Sequence, residues 1–249
     1  MAAFTSAGSA WTTTAGDKTV TATPAANDLI VVIAGTSGLA GGTISVTDDK
    51  SGTYTQIDVD RDGFSTTGVL TMWVRNTLIA AASTVFTATQ TGSSGGGLEV
   101  CRISGMSIVG QGAVRGSGGQ SSGGAGATPA PVLLGRVGTT YSGTQAALTA
   151  NLCIGVVMGG TVTPAITQPA SWTESVDLSY ITPTTGMETA FRNSGETGST
   201  ITWGSTIATA FASMVIELDV SVPLLGYINT MGDVHDHGGA DARNVVQQG

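Results

Sequence analysis

Asn27-Asp28-Leu29-Ile30-Val31-Val32-Ile33-Ala34 decides the fold. From Leu29 to Ala34 the residues are apolar without interruption and mostly β-branched, which is a strand signal. Runs of the same kind, continuous or alternating, lie at Thr19–Thr23, Ile44–Thr47, Tyr54–Val59, Val69–Arg75, Thr84–Thr89 and Leu98–Ile103, bounded by Gly, Pro, Asp or Asn. Their Thr, Val and Ile suit a pleated, half-buried surface. No window sustains an i, i+3, i+4, i+7 apolar pattern, and Leu78–Ala82 has room for one helical turn at most. The chain is predicted to be all-β.

The deciding stretch then comes back. Ala150-Asn151-Leu152-Cys153-Ile154-Gly155-Val156-Val157 repeats it, Trp172-Thr173-Glu174 repeats Tyr54-Thr55-Gln56, and Thr189-Ala190-Phe191-Arg192-Asn193 repeats Met72-Trp73-Val74-Arg75-Asn76. Ser199–Trp203 repeats Ser83–Thr87, and Val215–Leu218 repeats Val100–Ile103. The separation falls from 124 (Asn27 to Asn151) through 118 (Thr55 to Thr173), 117 (Arg75 to Arg192) and 116 (Thr84 to Thr200) to 115 (Ile103 to Leu218). A steady fall is what shorter loops in a second copy produce. The predicted organisation is a first repeat over 1–110, a Gly/Ser-rich flexible linker over 111–131, a second repeat over 132–222 and an extended C-terminal arm over 223–249. Many short strands with Gly-rich turns predict a jelly-roll-like β-sandwich. Whether each copy closes its own sandwich stays open. Few large side chains per copy favour one compact unit with internal pseudo-symmetry.

Composition narrows the function. Only 10% of the 249 residues are charged, 37 are Gly, and 41% are hydrophobic, too many for a disordered chain. The formal charge of −8, with nine Lys and Arg lying singly from Lys18 to Arg243, predicts no nucleic-acid partner, because a phosphate-binding face needs clustered cations. A surface this poor in charge suits a chain covered by neighbouring subunits. The N-terminal Met1-Ala2-Ala3-Phe4-Thr5-Ser6 lacks the basic and apolar regions of a signal peptide, and no run approaches a spanning helix. Retention in the cytosol that makes it, or release by lysis, without membrane insertion is the expectation. Cys101 and Cys153, each inside an apolar run, read as buried small hydrophobes rather than a disulfide framework.

The Leu-Ile-Val-Val strand after Asn-Asp, the Thr-Asp turn before Tyr-Thr, the closing strand into Ile103-Ser104-Gly105 and the second-copy Pro169-Ala170-Ser171-Trp172-Thr173-Glu174 resemble a two-copy β-sandwich virion protein of tailed bacteriophages. In the arm, His235-Asp236-His237-Gly238-Gly239-Ala240-Asp241-Ala242-Arg243-Asn244-Val245 resembles a tail-fibre segment reading His-Asp-His-Ser-Gly-Gly-Asp-Gly-Ala-Gln-Ile. His235, Asp236, His237, Gly239 and Asp241 match, Gly238 and Arg243 depart, and Ala240 and Ala242 replace glycines. The resemblance implies a homotrimeric virion appendage, a tail fibre active in host adhesion, meeting other virion proteins and a host-surface glycan. A head (capsid) decoration protein is the close alternative, and a carbohydrate-binding module a more distant one.

Two motifs invite metals. Residues i and i+2 of an extended segment face one way, so His235 and His237 from three chains would offer six imidazoles to a transition metal on a threefold axis; the competing reading is a solvated tail. Asp58-Val59-Asp60-Arg61-Asp62-Gly63 has the first half of a calcium loop, with Asp58, Asp60 and Asp62 as ligands. The bidentate Glu of that loop would fall at Val69, which favours a plain strand ending in an Asp-Gly turn.

Catalytic readings find little. Gly92-Ser93-Ser94-Gly95-Gly96 and Gly119-Gln120-Ser121-Ser122-Gly123 lie in Gly/Ser tracts rather than between a strand and a helix, and the only histidines are in the arm. Gly110-Gln111-Gly112 does not continue into a dinucleotide fingerprint. Glu99, Glu174, Asp177, Glu188 and Glu217 are carboxylates on strands with no partner recognisable in the sequence. Alternation places Glu99 and Glu217 on an outer, solvated face. Trp11, Trp73, Trp172 and Trp203 read as core rather than as sugar platforms. A non-enzymatic chain is the expectation.

Overall fold

A computed structural model describes residues 2–37, 43–62, 68–123, 126–159, 166–180, 185–207 and 209–220, with backbone alone at 58–62 and 179–180. The described residues contain no α-helix. Copy one supplies β1 (Ala3–Thr12), β2 (Lys18–Ala22), β3 (Leu29–Ser37), β4 (Ile44–Asp48), β5 (Tyr54–Asp62), β6 (Val69–Arg75), β7 (Thr84–Gln90) and β8 (Gly95–Ser104). After a 3-10 turn at Gly110–Ala113 come β9 (Val114–Ser122), β10 (Leu134–Val137), β11 (Thr140–Thr144), β12 (Leu152–Gly159), β13 (Thr173–Tyr180), β14 (Thr185–Arg192) and β15 (Phe211–Leu218). Every run read from the sequence of copy one is a strand.

The strands form two inner sheets and one outer sheet. The first inner sheet has the order β1-β8-β3-β6-β5, the second β11-β10-β9-β15-β12-β14-β13, and the outer sheet β2-β7-β4. Five strands of each inner sheet correspond one to one: β1 with β9, β8 with β15, β3 with β12, β6 with β14 and β5 with β13. Register confirms it, since Val31 pairs with Val74 and Cys101 while Ile154 pairs with Phe191 and Ile216. The ladders give separations of 123, 117 and 115 at these positions. Asp28, rather than Asn27, is therefore the counterpart of Asn151. The order β1-β8-β3-β6 facing β2-β7-β4 is the nested path of a jelly roll, with β5 turned back onto β6.

The question of one sandwich or two resolves into a stack. Copy one closes its own sandwich, because Val20, Ile30, Val32, Val46, Phe86 and Val100 fill the space between its inner and outer sheets. The two inner sheets then pack on each other through Val31, Ile33, Leu70, Met72, Ile154, Val156, Met214 and Ile216. On the far face of the second inner sheet lie Cys153, Val157, Trp172, Trp203, Phe211 and Val215. Both inner sheets are thus covered on both faces, which is why β3, β12 and β15 are buried at every position. Across the middle, β1 lies against β13 and β5 against β9. Each contact is the other's counterpart, so the copies meet as an isologous pair about a pseudo-twofold axis.

The Gly/Ser-rich stretch 111–131 is not a flexible linker. Val114–Ser122 is β9, hydrogen-bonded along β15 at the heart of the second inner sheet. Its glycines are needed because chain crosses directly over them: a Cβ on Gly118 would stand 1.8 Å from the Val132 carbonyl oxygen. Composition alone reads as slack where packing requires bare backbone.

The outer layer of copy two is rudimentary. Residues 126–133 run beside 199–207, joined by isolated bridges at Ala127–Ile207 and Val132–Thr200. Pro129 and Pro131 accept from the amides of Trp203 and Ile201 at 3.0 and 3.1 Å, but a proline donates nothing back, so the ladder is half made. Copy two also carries the β10–β11 hairpin, absent between β2 and β3 of copy one.

Candidate functional site

The pseudo-symmetry singles out one group of side chains. At the start of β5 and β13 stand Tyr54 and Trp172; at the end of β6 and β14 stand Arg75 and Arg192. Each aromatic–arginine pair is tied by a carboxylate, and the two carboxylates come from different places in the chain.

In copy one the carboxylate is Asp48, the last residue of β4. Its Oδ2 accepts from Arg75 Nε at 2.9 Å and from the Tyr54 hydroxyl at 2.8 Å, while Oδ1 accepts from the amides of Gly52 and Lys50 at 2.8 and 2.9 Å. Arg75 Nη1 donates to the Thr77 and Leu78 carbonyls and to the Thr77 hydroxyl. The Asp48 side chain is 0% exposed and that of Arg75 7%. Burial by itself would raise the Asp48 pKa, but Gly52, Tyr54 and Arg75 outweigh it and hold the carboxyl below its ordinary value. The same burial, with Asp48 as acceptor, pushes the Tyr54 phenol up. Gly52 closes the top: a Cβ there would meet Asp48 Oδ2 at 2.2 Å and Arg75 Nε at 2.4 Å. The knot is sealed.

In copy two the carboxylate is Glu196, beyond the end of β14. Its Oε2 accepts from Trp172 Nε1 at 2.9 Å and Arg192 Nη1 at 3.1 Å, and its Oε1 from the amides of Thr197 and Gly198. Despite burial, these donors, with the Gly198 amide foremost, hold its pKa below the ordinary value. Arg192 Nε donates to the Ser194 carbonyl. Glu196 follows β14 in the chain, whereas Asp48 precedes β5. Pro169 and Ala170, at the positions of Ser51 and Gly52, line a cleft of about 210 Å³ together with Trp172, Arg192, Glu196, Thr200, Ile201 and Thr202. The aromatic and the arginine were visible in the repeat; their carboxylates were not, because they do not align.

The carboxylates read from the sequence have sorted themselves differently than expected. Glu99 and Glu217 do not face solvent; both are 0% exposed, because the inner sheets have no outer, wetted face. Glu217 is not without partners either. It takes Arg115 Nη1 at 2.5 Å, the Leu148 amide and Asn151 Nδ2 at 2.8 Å, and Gln145 Nε2 at 3.3 Å. Its counterpart Arg102 pairs with Asp28, the counterpart of Asn151, at 2.8 Å. Glu99 lies between the copies, where the Ser175 hydroxyl donates to Oε1 at 2.5 Å and Thr189, Ser6 and Cys101 also adjoin it. Burial raises its pKa against those hydrogen bonds. Met214 and Met72, its apolar counterparts across the pseudo-axis, occupy the places of Glu99 and Thr189.

Glu188 is brought against two further carboxylates. Asp177 is its cross-strand partner, and Glu174 lies on the same β13–β14 ladder. Its side chain is fully buried, and burial followed by the charges of Glu174 and Asp177 pushes its pKa up to about 8.

Cys101 and Cys153 are free and buried, as read from the sequence. Trp172 and Trp203 are core, while Trp11 and Trp73 are half-buried, Trp73 donating to the Thr71 hydroxyl at 3.0 Å. His235 and His237 lie outside the described residues. At Asp58, Asp60 and Asp62 the backbone belongs to β5, with Asp62 paired to Val69, and their side chains lie outside the described residues. Among the described residues no group of three His, Cys, Asp or Glu could hold a metal ion. No described helix is long and apolar enough to cross a membrane.

No protein-family model, curated protein or solved structure matches the chain.

Proposed function

We propose that this chain is a non-enzymatic structural protein of a tailed-phage virion, acting as a tail-fibre or adhesion appendage. The observation that carries the reading is the divergence of the two knots: Tyr54–Arg75–Asp48 is sealed, whereas Trp172–Arg192–Glu196 borders an open cleft. A duplicated scaffold with one closed half and one open half suits a protein that is held in place by one side and meets a partner with the other. The likeness of His235–Val245 to a fibre segment supports the same role, as does a chain with only 10% charged residues.

Capsid decoration is the second reading, and the β10–β11 hairpin favours it. Copy one has no equivalent, and the hairpin carries Val137, 61% exposed, as an apolar contact for a neighbouring subunit. Mass spectrometry of purified virions, with capsids separated from tails, decides between the two. Recovery with tails is the expected result, recovery with capsids selects decoration, and absence from both overturns the virion role. Native mass spectrometry tests the assembly: a species near three times 24.8 kDa is expected. Metal removed by a chelator, and missing when His235 and His237 are both replaced by Ala, would place the two histidines on its axis. A metal-free wild-type trimer sinks the metal and keeps the fibre.

A further inference from the structure

We infer that the cleft beside Trp172 is a binding site for a single neutral pyranose unit, the terminal sugar of a surface glycan; the inference rests on the adhesion reading for its biological setting and on the cleft alone for its chemistry. Several observations specify that ligand. The cleft is charge-balanced, because its one cation, Arg192, and its one anion, Glu196, are bonded to each other at 3.1 Å. A phosphate or carboxylate ligand would gain Arg192 only by facing Glu196. Thr200 and Thr202 flank the buried Ile201 and so bring two exposed hydroxyl-bearing side chains to the cleft, their backbones roughly 6–7 Å apart at the rise of extended chain. Hydroxyls donate and accept equally, matching a ligand built of hydroxyls. The same cleft is lined by apolar groups, Pro169, Ala170 and Trp172, suited to the C–H face of a saturated ring. The indole cannot swing away, since its Nε1 is held by Glu196 at 2.9 Å. At about 210 Å³ the cleft is smaller than the roughly 300–1,000 Å³ of pockets for larger ligands, which limits it to a single ring.

The sealed copy argues that the opening is no packing accident. At the matching place in copy one the Gly52 amide bonds Asp48, and Asp48 and Arg75 leave no room even for a Cβ. Copy two keeps the aromatic and the arginine but takes its carboxylate, Glu196, from the segment after β14, and a cleft lined by all three remains.

Saturation-transfer NMR on the full chain tests the site, using the methyl glycosides of glucose, galactose, mannose, fucose, N-acetylglucosamine and N-acetylgalactosamine. Galacturonate and inorganic phosphate serve as charged controls. Transfer to at least one neutral glycoside is expected. Thr202→Val should weaken it about tenfold, the effect of one lost hydrogen bond, and Ala170→Trp should abolish it by filling the cleft, both with wild-type thermal unfolding. Transfer to none of the six, preferential binding of a charged control, or binding untouched by a folded Ala170→Trp each overturns the site. The two readings fail separately. A chain that binds a sugar but is absent from virions keeps the cleft and loses the adhesion role; a virion protein that binds none loses only the cleft.

Discussion

At the scale of single residues, the same three side-chain types do different work according to burial. Arg75 neutralises a carboxylate that is wholly enclosed, so Arg75→Met would leave Asp48 charged in the interior with Tyr54 and two amides but no cation, and should cost about 3–5 kcal/mol in urea unfolding. Arg192→Met removes the equivalent group from a partner that likewise keeps its aromatic donor and two amides but stands partly in water; about 1 kcal/mol or less is expected. Equal losses would contradict the sealed-versus-open distinction. Glu188 gives a pH signature. Folded, it holds its proton up to a pKa of about 8; unfolded, it releases it in the ordinary carboxylate range. The folded state therefore binds the extra proton between those limits, and stability falls as pH rises through that window. Glu188→Gln should unfold at the wild-type temperature near pH 4 and roughly 2–4 °C higher at pH 8–9, a gain of about 1 kcal/mol. A Gln variant that is no better at pH 9 would place the burden elsewhere.

At the scale of elements, β9 shows how a strand can hide from its own sequence. Strand reading relies on β-branched and aromatic residues that pack outward, yet Val114-Arg115-Gly116-Ser117-Gly118-Gly119-Gln120-Ser121-Ser122 is mostly Gly and Ser. It is a strand because β15 supplies its hydrogen bonds and residues 132–134 press on its backbone. Gly118→Val must push Val132 aside, and a loss of about 2–3 kcal/mol is expected from the overpacking. A linker would tolerate the same change without any shift in the unfolding midpoint, so one denaturation curve separates the two. By contrast β3 and β12 were plain in the sequence. Strands buried on both faces are apolar at every position rather than at alternate ones.

For the whole molecule, the pseudo-twofold pairing of the inner sheets sets the electrostatics. Glu99 is enclosed where the two copies meet, and burial raises its pKa, as it does for Glu188, so the fold favours the protonated form of both. Asp48 and Glu196 act in the opposite sense, with lowered pKa values whose stabilisation is lost as pH falls below the carboxylate range. The chain should therefore be most stable on the acid side of neutrality, with melting temperature declining toward pH 9. Self-repulsion from a formal charge of −8 acts in the same direction. A maximum at pH 8 or above would mean that the two buried acids find partners on folding.

The all-β class, the duplication and the strands of copy one from β2 to β8 were determined by the sequence alone, because backbone periodicity and repeated spacing are local properties. The burial of Glu99 and Glu217, the strand identity of β9 and the contrast between the two knots were decided only by the tertiary structure. Each depends on what lies across a sheet face. A second copy covers the face that alternation assigns to water, a crossing segment makes glycine necessary, and carboxylates from unaligned positions, Asp48 and Glu196, reach the equivalent arginines Arg75 and Arg192.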